Sequence, residues 1–398
     1  MRLPYASPLL LWMMAILCYN AAEFQMVRRN WKRTLALVWS IVALITLVAA
    51  DPPLVNEPVM ETDLSAMPRV IAAWLRTPYG GPTPLAVIIA PRITTYSHLS
   101  AFSYTVERDG SLIASNPVSD AVLIDYARAN NIRVIPTISS TWDSRHILQM
   151  MSDPTIRARH IDALMRVARS PLIDGIDIDY ENLPPESRQP FTEFITALGT
   201  RLHREGKVLS VTVPPKIRND DPCVVCRFAD YAALGHSVDQ VRIMAYEYHW
   251  RTGTPGANAP IWWMRQVAEY AATQIPREKI ILGVHLYAYD WGGKETRAIW
   301  WNDVMDLKNR YAGSVRYVES EARGIVGESE LTYAIPLGRG CARSKPEFVP
   351  PPEEKHTVWF VDARYLAAAW QIVQDYKLGG IVLWRPGGED PEIWDVMK

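Results

Sequence analysis

The stretch Asp174-Gly175-Ile176-Asp177-Ile178-Asp179-Tyr180-Glu181 alternates acidic and apolar side chains at the two-residue period of a β-strand. Asp177, Asp179 and Glu181 then share one face, and Ile176, Ile178 and Tyr180 the other. Such a strand packs its apolar face against helices and points its carboxylates into the interior of a closed barrel. Ionising three neighbouring carboxylates there is costly, so at least one pKa must rise. In barrels of parallel strands the chemistry sits at the C-terminal strand ends, and Glu181 is the last residue of this strand. A raised pKa is what a general acid needs near neutral pH. A solvated edge strand with an acidic outer face would leave the isoleucines and the glycine at its start unexplained.

Working outward, short β-branched runs predict strands at 70–74, 99–104, 132–139, 175–181, 208–213, 240–246, 280–286 and 380–384. Segments of helical period lie between them, at 119–130, 154–169, 187–205, 260–273 and 363–378. Eight strands alternating with return helices predict an α/β fold, a (β/α)8 barrel over residues 69–398. The stretch 295–355, with Pro350-Pro351-Pro352 and scattered glycines, breaks the rhythm and is expected to be a small insertion between the seventh and eighth strands.

Residues 1–50 differ in character from the rest. Basic residues from Arg28 to Arg33 precede a charge-free apolar run from Leu35 to Ala50, the pattern of an export signal with cleavage before Asp51. The run is also close to the shortest that spans a bilayer, roughly 17 residues, which leaves an N-terminal membrane anchor as the alternative. Asp51-Pro52-Pro53 opens a polar linker over 51–68, and the catalytic part is expected outside the cytoplasm. Of four cysteines, Cys223 and Cys226 form a C-x-x-C that an oxidising compartment would close as a local disulfide, with Cys18 and Cys341 left over. A net charge of -1, from 42 basic against 43 acidic residues, argues against nucleic acid as a partner. Fifteen Trp and 18 Tyr against 7 Phe favour rings with both an apolar face and a polar edge, which suits sugars.

Asp174 to Glu181 resembles the DxxDxDxE signature of family 18 glycoside hydrolases, the chitinase-like enzymes. Met244-Ala245-Tyr246-Glu247 resembles that family's Met-x-Tyr-Asp strand, with Glu247 in place of the usual Asp, and Trp384 falls where the family places a tryptophan on its last strand. Tyr246-x-x-His249-Trp250 and the ending Leu383-Trp384-Arg385-Pro386-Gly387-Gly388 resemble the spore-germination, cortex-lytic-like branch. The resemblance implies retaining, substrate-assisted cleavage of β-1,4 bonds beside N-acetylglucosamine, in chitin-type oligomers or peptidoglycan glycan. Glu181 would be the general acid, Asp179 would orient the acetamido group, Asp177 would share its proton, and Tyr246 would hydrogen-bond the acetamido oxygen. Trp384, Glu247, Tyr104 and Asn182 would contact substrate; no metal or cofactor is implied, and His249 and His285 are expected to be hydrogen-bonded scaffold. The alternatives are a catalytically silent sugar-binding protein on the same barrel and an envelope scaffold, and the second leaves the acidic row unexplained.

Overall fold

The computed structural model describes residues 69–76, 85–140, 144–337 and 352–397. The leader, the 51–68 linker, Cys18, Cys341, Pro350 and Pro351 lie outside the described residues. Among the described residues no helix is long and apolar enough to cross a membrane.

The barrel strands are β1 (Val70–Leu75), β2 (His98–Val106), β4 (Arg133–Val134) with β5 (Thr137–Ser139), β6 (Gly175–Asp179), β7 (Val208–Val213), β8 (Gln240–Ile243), β9 (Ile280–His285) and β15 (Gly380–Trp384); β3 (Leu112–Ala114) is an antiparallel appendage on β2. Neighbouring barrel strands pair in parallel in the order β1-β15-β9-β8-β7-β6-β5-β2, and β2 pairs back onto β1, which closes the ring. Closure leaves the ring no free edge, and helices pack against its outer face. These include Pro117–Ala129, Pro154–Ala168, Arg188–Arg204, Ile261–Gln274 and Ala363–Asp375, close to the predicted segments.

One split and two strand ends near the site differ from the sequence expectation. The third strand is split, because Pro136 has no N–H to give the ladder. β6 stops at Asp179 and β8 at Ile243, so Glu181 and Tyr246 stand on the loops that follow rather than in the strands. Gly175 is required where β6 begins: a Cβ there would lie 2.3 Å from the Val208 carbonyl oxygen.

The insertion is larger than the predicted 295–355. It is a five-stranded antiparallel sheet in the order β11-β10-β14-β13-β12, formed by β10 (Tyr287–Trp291), β11 (Arg297–Trp300), β12 (Ser314–Glu321), β13 (Gly324–Pro336) and β14 (Glu353–Phe360). Strand alternation sorts its residues. Tyr287, Tyr289, Trp291 and Trp359 form one apolar cluster, against which Trp384 of the barrel packs. Ala288, Leu331, Tyr333 and Val358 form another, with Trp301 and Met305 of the helix Trp301–Arg310 packed against it.

Candidate active site

The two faces of β6 behave as its alternation demands. Ile176 and Ile178 are fully buried, and Tyr180 points to the helical layer, where its hydroxyl donates to His160 Nε2 at 2.6 Å and its ring stacks on Phe194. His160 Nδ1 lies 2.8 Å from the Gly110 carbonyl, so it carries the ring proton and Nε2 accepts. Burial holds the His160 pKa down at about 4. The loop that carries Glu181 is thus moored on the side away from the cleft.

Asp177 lies inside the barrel with no exposed surface, in a ring of donors from other strands. The Trp74 indole N–H of β1 donates to its Oδ2 at 3.0 Å, and Thr137 of β5 does so at 2.9 Å. Thr212 of β7 donates at 3.3 Å, and Arg242 Nη1 of β8 lies 3.4 Å away. The Arg242 guanidinium, itself fully buried, also reaches Ser100 at 2.7 Å and Gln240 at 3.1 Å. An unpaired charge in such a place costs several kcal/mol, so Asp177 and Arg242 need each other.

Asp179 is one step nearer the rim and is buried too, but its Oδ1 has no hydrogen-bond partner among the described residues. Burial raises its carboxyl well above the usual carboxylate range, Glu181 and Asp177 push it further, and Arg242 pulls it down. Glu181 presents its side chain to the cleft. Enclosure by the cleft walls raises its carboxyl, Glu247 adds to the rise, and Arg76 opposes it. Tyr246, nearly buried, holds its phenolic proton well above the ordinary value because of burial and the surrounding carboxylates of Glu181, Asp179 and Glu247. It is therefore a hydrogen-bond donor across the working pH range.

A cleft of about 1200 Å³ opens over these groups, and Asp179, Glu181, Asn182, Tyr246, Glu247 and Trp384 all line it. A second limb of about 470 Å³ shares Glu181 with the first and is walled mostly by polar residues such as Ser139, Ser140 and Asn116. Asp179, Glu181 and Asn182 face both. Trp384 is braced by Phe102, ring centroids 5.2 Å apart, and edge-on by Trp74 at 6.4 Å. Farther along, the large limb carries Tyr248, Trp250, Trp262 and Trp263, with Arg323 of the insertion donating to the Tyr248 hydroxyl at 2.7 Å.

Of the residues singled out in the sequence, Tyr104 is not brought to the cleft. A bulge against β5 between Phe102 and Tyr104 re-aims the strand, so Phe102 lines both limbs and Tyr104 lines neither. Glu247 does not simply reach farther into the cleft: its carboxylate accepts from the Tyr287 and Tyr289 hydroxyls at 2.9 and 2.7 Å, both on the insertion. His249 is scaffold as expected, 3.1 Å from the Thr254 carbonyl through Nδ1. The His285 side chain departs from that expectation: among the described residues neither buried ring nitrogen has a hydrogen-bond partner, and the ring lies among Tyr246, Tyr287 and Tyr365. Cys223 and Cys226 are joined, and their loop lines the outer wall of the large limb.

Sequence reasoning missed Trp74, Thr137, Thr212, Arg242, Tyr287 and Tyr289. The signal for Arg242 was present in Gln240-Val241-Arg242-Ile243, where polar residues fall on every second position of a barrel strand. Nothing local marks the two tyrosines. Asp174, the first acid of the signature, is not in the cleft at all. It sits before β6, where its carboxylate accepts the Val134 N–H at 2.8 Å and pairs with Arg128 at 3.1 Å. Asp174→Ala is therefore expected to cost about 1–2 kcal/mol of stability, mostly from the backbone hydrogen bond because the ion pair is half exposed. Thermal denaturation should show that loss with kcat unchanged.

The same barrel recurs in known proteins. The spore cortex-lytic enzyme SleL of Bacillus cereus superposes with a TM-score of 0.72 at 24% identity, covering 83% of this chain and 73% of that one. The cortical fragment-lytic enzyme of Bacillus subtilis (strain 168) is 27% identical over 305 residues, 75% of this chain and 66% of its own length. The chain thus spans about two thirds of that relative. Human di-N-acetylchitobiase is 22% identical over 318 residues, 70% of this chain and 76% of that protein. Residues 84–389, from the first helix of the barrel past its last strand, match the family described as Glycosyl hydrolases family 18, and by that match together with the acidic row on β6 the chain belongs to that family.

Proposed function

We propose that this family 18 glycosidase is a retaining enzyme that cleaves β-1,4 bonds beside N-acetylglucosamine, with the substrate's own acetamido group as nucleophile. The observation that carries the reading is Asp179: a buried carboxyl beside the cleft whose Oδ1 lacks a partner, two residues before an acid that faces the same space. An acetamido N–H is the donor that oxygen needs. Asp179 would then hold the acetamido group so that its carbonyl oxygen attacks the anomeric carbon, and would stabilise the oxazolinium ion. Tyr246 would donate to the acetamido oxygen. Glu181 would protonate the leaving glycosidic oxygen and then, as a carboxylate, take a proton from the water that opens the ring. Two displacements at one carbon retain its configuration.

Trp384 offers its face as the floor for the sugar at the cleaved position, and Asn182 lies beside the acid. The tryptophans of the large limb suit further sugar rings, whose apolar faces stack on indoles. The polymer is chitin-type oligomer or peptidoglycan glycan, the second favoured by the likeness to cortex-lytic enzymes. Peptidoglycan lies outside the cytoplasm, which agrees with a leader over 1–50, cleaved or retained as an anchor, and a 51–68 linker.

Incubating the purified protein with N-acetylglucosamine oligomers and with peptidoglycan, followed by mass spectrometry of the products, tests the reading. Cleavage, with the β-anomer as the first product by proton NMR, supports it; binding without cleavage of either polymer turns it into a sugar-binding protein. The pH dependence adds a second test. Glu181 must be protonated to act, and its carboxyl is raised, so kcat is expected to persist above the ordinary glutamate range, about 4.3, and to fall as pH climbs through the raised value. Because the carboxyls are coupled, the limbs of that profile belong to the row as a whole.

A further inference from the structure

Glu328 is fully buried in β13 of the insertion, and no step of the proposed reaction uses it. Its two oxygens grip consecutive backbone groups of the barrel's 247–259 loop: Oε2 accepts the Asn258 N–H at 3.0 Å and Oε1 the Ala259 N–H at 2.6 Å. Asn258 passes the grip on. Its side-chain Oδ1 accepts the Glu247 N–H at 2.7 Å, and its carbonyl accepts the Tyr248 N–H at 2.6 Å. Tyr365 closes the far side by donating to the Ala259 carbonyl at 2.8 Å.

Glu247 needs such a hold. Its backbone has a φ of 65°, a region that a residue with a Cβ adopts only when its surroundings impose it. The Asn258 contact secures its main chain, and Tyr287 and Tyr289 secure its carboxylate. That carboxylate in turn helps to raise Glu181. We infer that Glu328 is a positioning residue, through which the inserted sheet fixes the place of Glu247 in the cleft it shares with Glu181. The inference rests on the proposed role of Glu181.

The charged groups packed against the clamp are His285 and Asp362. His285 Nε2 lies 3.8 Å from Glu328 Oε1, and burial holds the His285 pKa near 3, so it stays neutral at working pH. Burial pushes the Glu328 carboxyl up to about 8, the Ala259 and Asn258 N–H groups pull it down, and Asp362 pushes it up. Around Glu181 the groups that matter are Glu247 and Arg76, with Asp179 and Tyr246 alongside.

Two variants test this. Glu328→Gln replaces one of the two acceptors by an NH2 that cannot receive an N–H. Asn258→Ala leaves the grip on the backbone and removes the acceptor for the Glu247 N–H together with the amide's contact to Tyr287, so both holds on Glu247 that pass through Asn258 are lost and the variant decides the matter if Glu328→Gln fails to fold. Both are expected to lower kcat on N-acetylglucosamine oligomers about tenfold, and to move the basic limb of the pH profile down by about half a unit, as the Glu247 charge drifts from Glu181. Glu247→Gln should shift that limb the same way, and adding Asn258→Ala to it should shift it no further. Folded variants with a lower melting temperature but the parent's kcat and pH profile would overturn the inference and leave Glu328 a plain structural strut. If the parent cleaves nothing, the reading of the reaction has failed instead. The clamp is then decided by calorimetric affinity for the N-acetylglucosamine tetramer, expected to weaken about tenfold in Asn258→Ala and overturned if it does not.

Discussion

Glu181→Gln is expected to lower kcat on N-acetylglucosamine oligomers by roughly 10²–10⁴-fold, the usual contribution of a positioned general acid, with oligomer affinity within a few-fold of the parent. Glutamine has the same shape and keeps an oxygen toward the cleft, but it has no proton to give the leaving oxygen. Glu181 opens to the cleft and is not part of the donor ring around Asp177, so the substitution leaves the interior of the barrel intact. Steady-state kinetics with calorimetry on the same sample checks both halves. Full turnover by the variant would remove Glu181 from the reaction, and loss of binding along with turnover would assign it to substrate placement instead.

The second large effect is expected at Asp179→Asn, a fall in kcat of roughly 10²–10³-fold, the scale of losing one preorganised group at a developing charge. An asparagine oxygen still accepts the acetamido N–H, so KM should change little. It carries no negative charge to stabilise the oxazolinium ion, so the loss falls on kcat. Stability should move the other way. The Asp179 carboxyl is raised in the folded protein, so whatever stability it contributes is present at acid pH and lost as pH rises through the raised value. At neutral pH the parent therefore carries a penalty that the neutral amide avoids, and Asp179→Asn should melt no lower than the parent at pH 7. A variant that melts far lower and binds no oligomer would show Asp179 to be a packing residue.

Much of the candidate site was legible because β6 is a simple local object. A two-residue alternation places Asp177 and Asp179 inward and Ile176 and Ile178 outward whatever surrounds the strand, and the structure follows that alternation residue by residue. The strand ends were less legible. Whether a strand stops at Asp179 or at Glu181 depends on neighbouring ladders, and β6 pairs with β7 only as far as Ile178. Tyr104 was misplaced for a related reason, since a bulge is a relation between two strands and leaves no mark on either alone.

The insertion shows the limit most clearly. Its start was expected at about Glu295, yet it begins at Tyr287, because Tyr287-Ala288-Tyr289-Asp290-Trp291 continues the apolar character of β9 across its end. That misjudged boundary hid Tyr287 and Tyr289 as partners that hold the Glu247 carboxylate from some 40 residues away.

By itself the sequence determined the barrel and the inward acidic row, because each is a property of periodicity, and periodicity is carried by neighbours along the chain. The tertiary structure alone decided what Asp177 binds, which tryptophans line the cleft, and how the inserted sheet reaches Glu247 through Glu328 and Asn258. Those contacts join residues from Trp74 to Trp384, and contacts across that distance are made by ring closure and by the docking of one sheet on another, which no local pattern encodes.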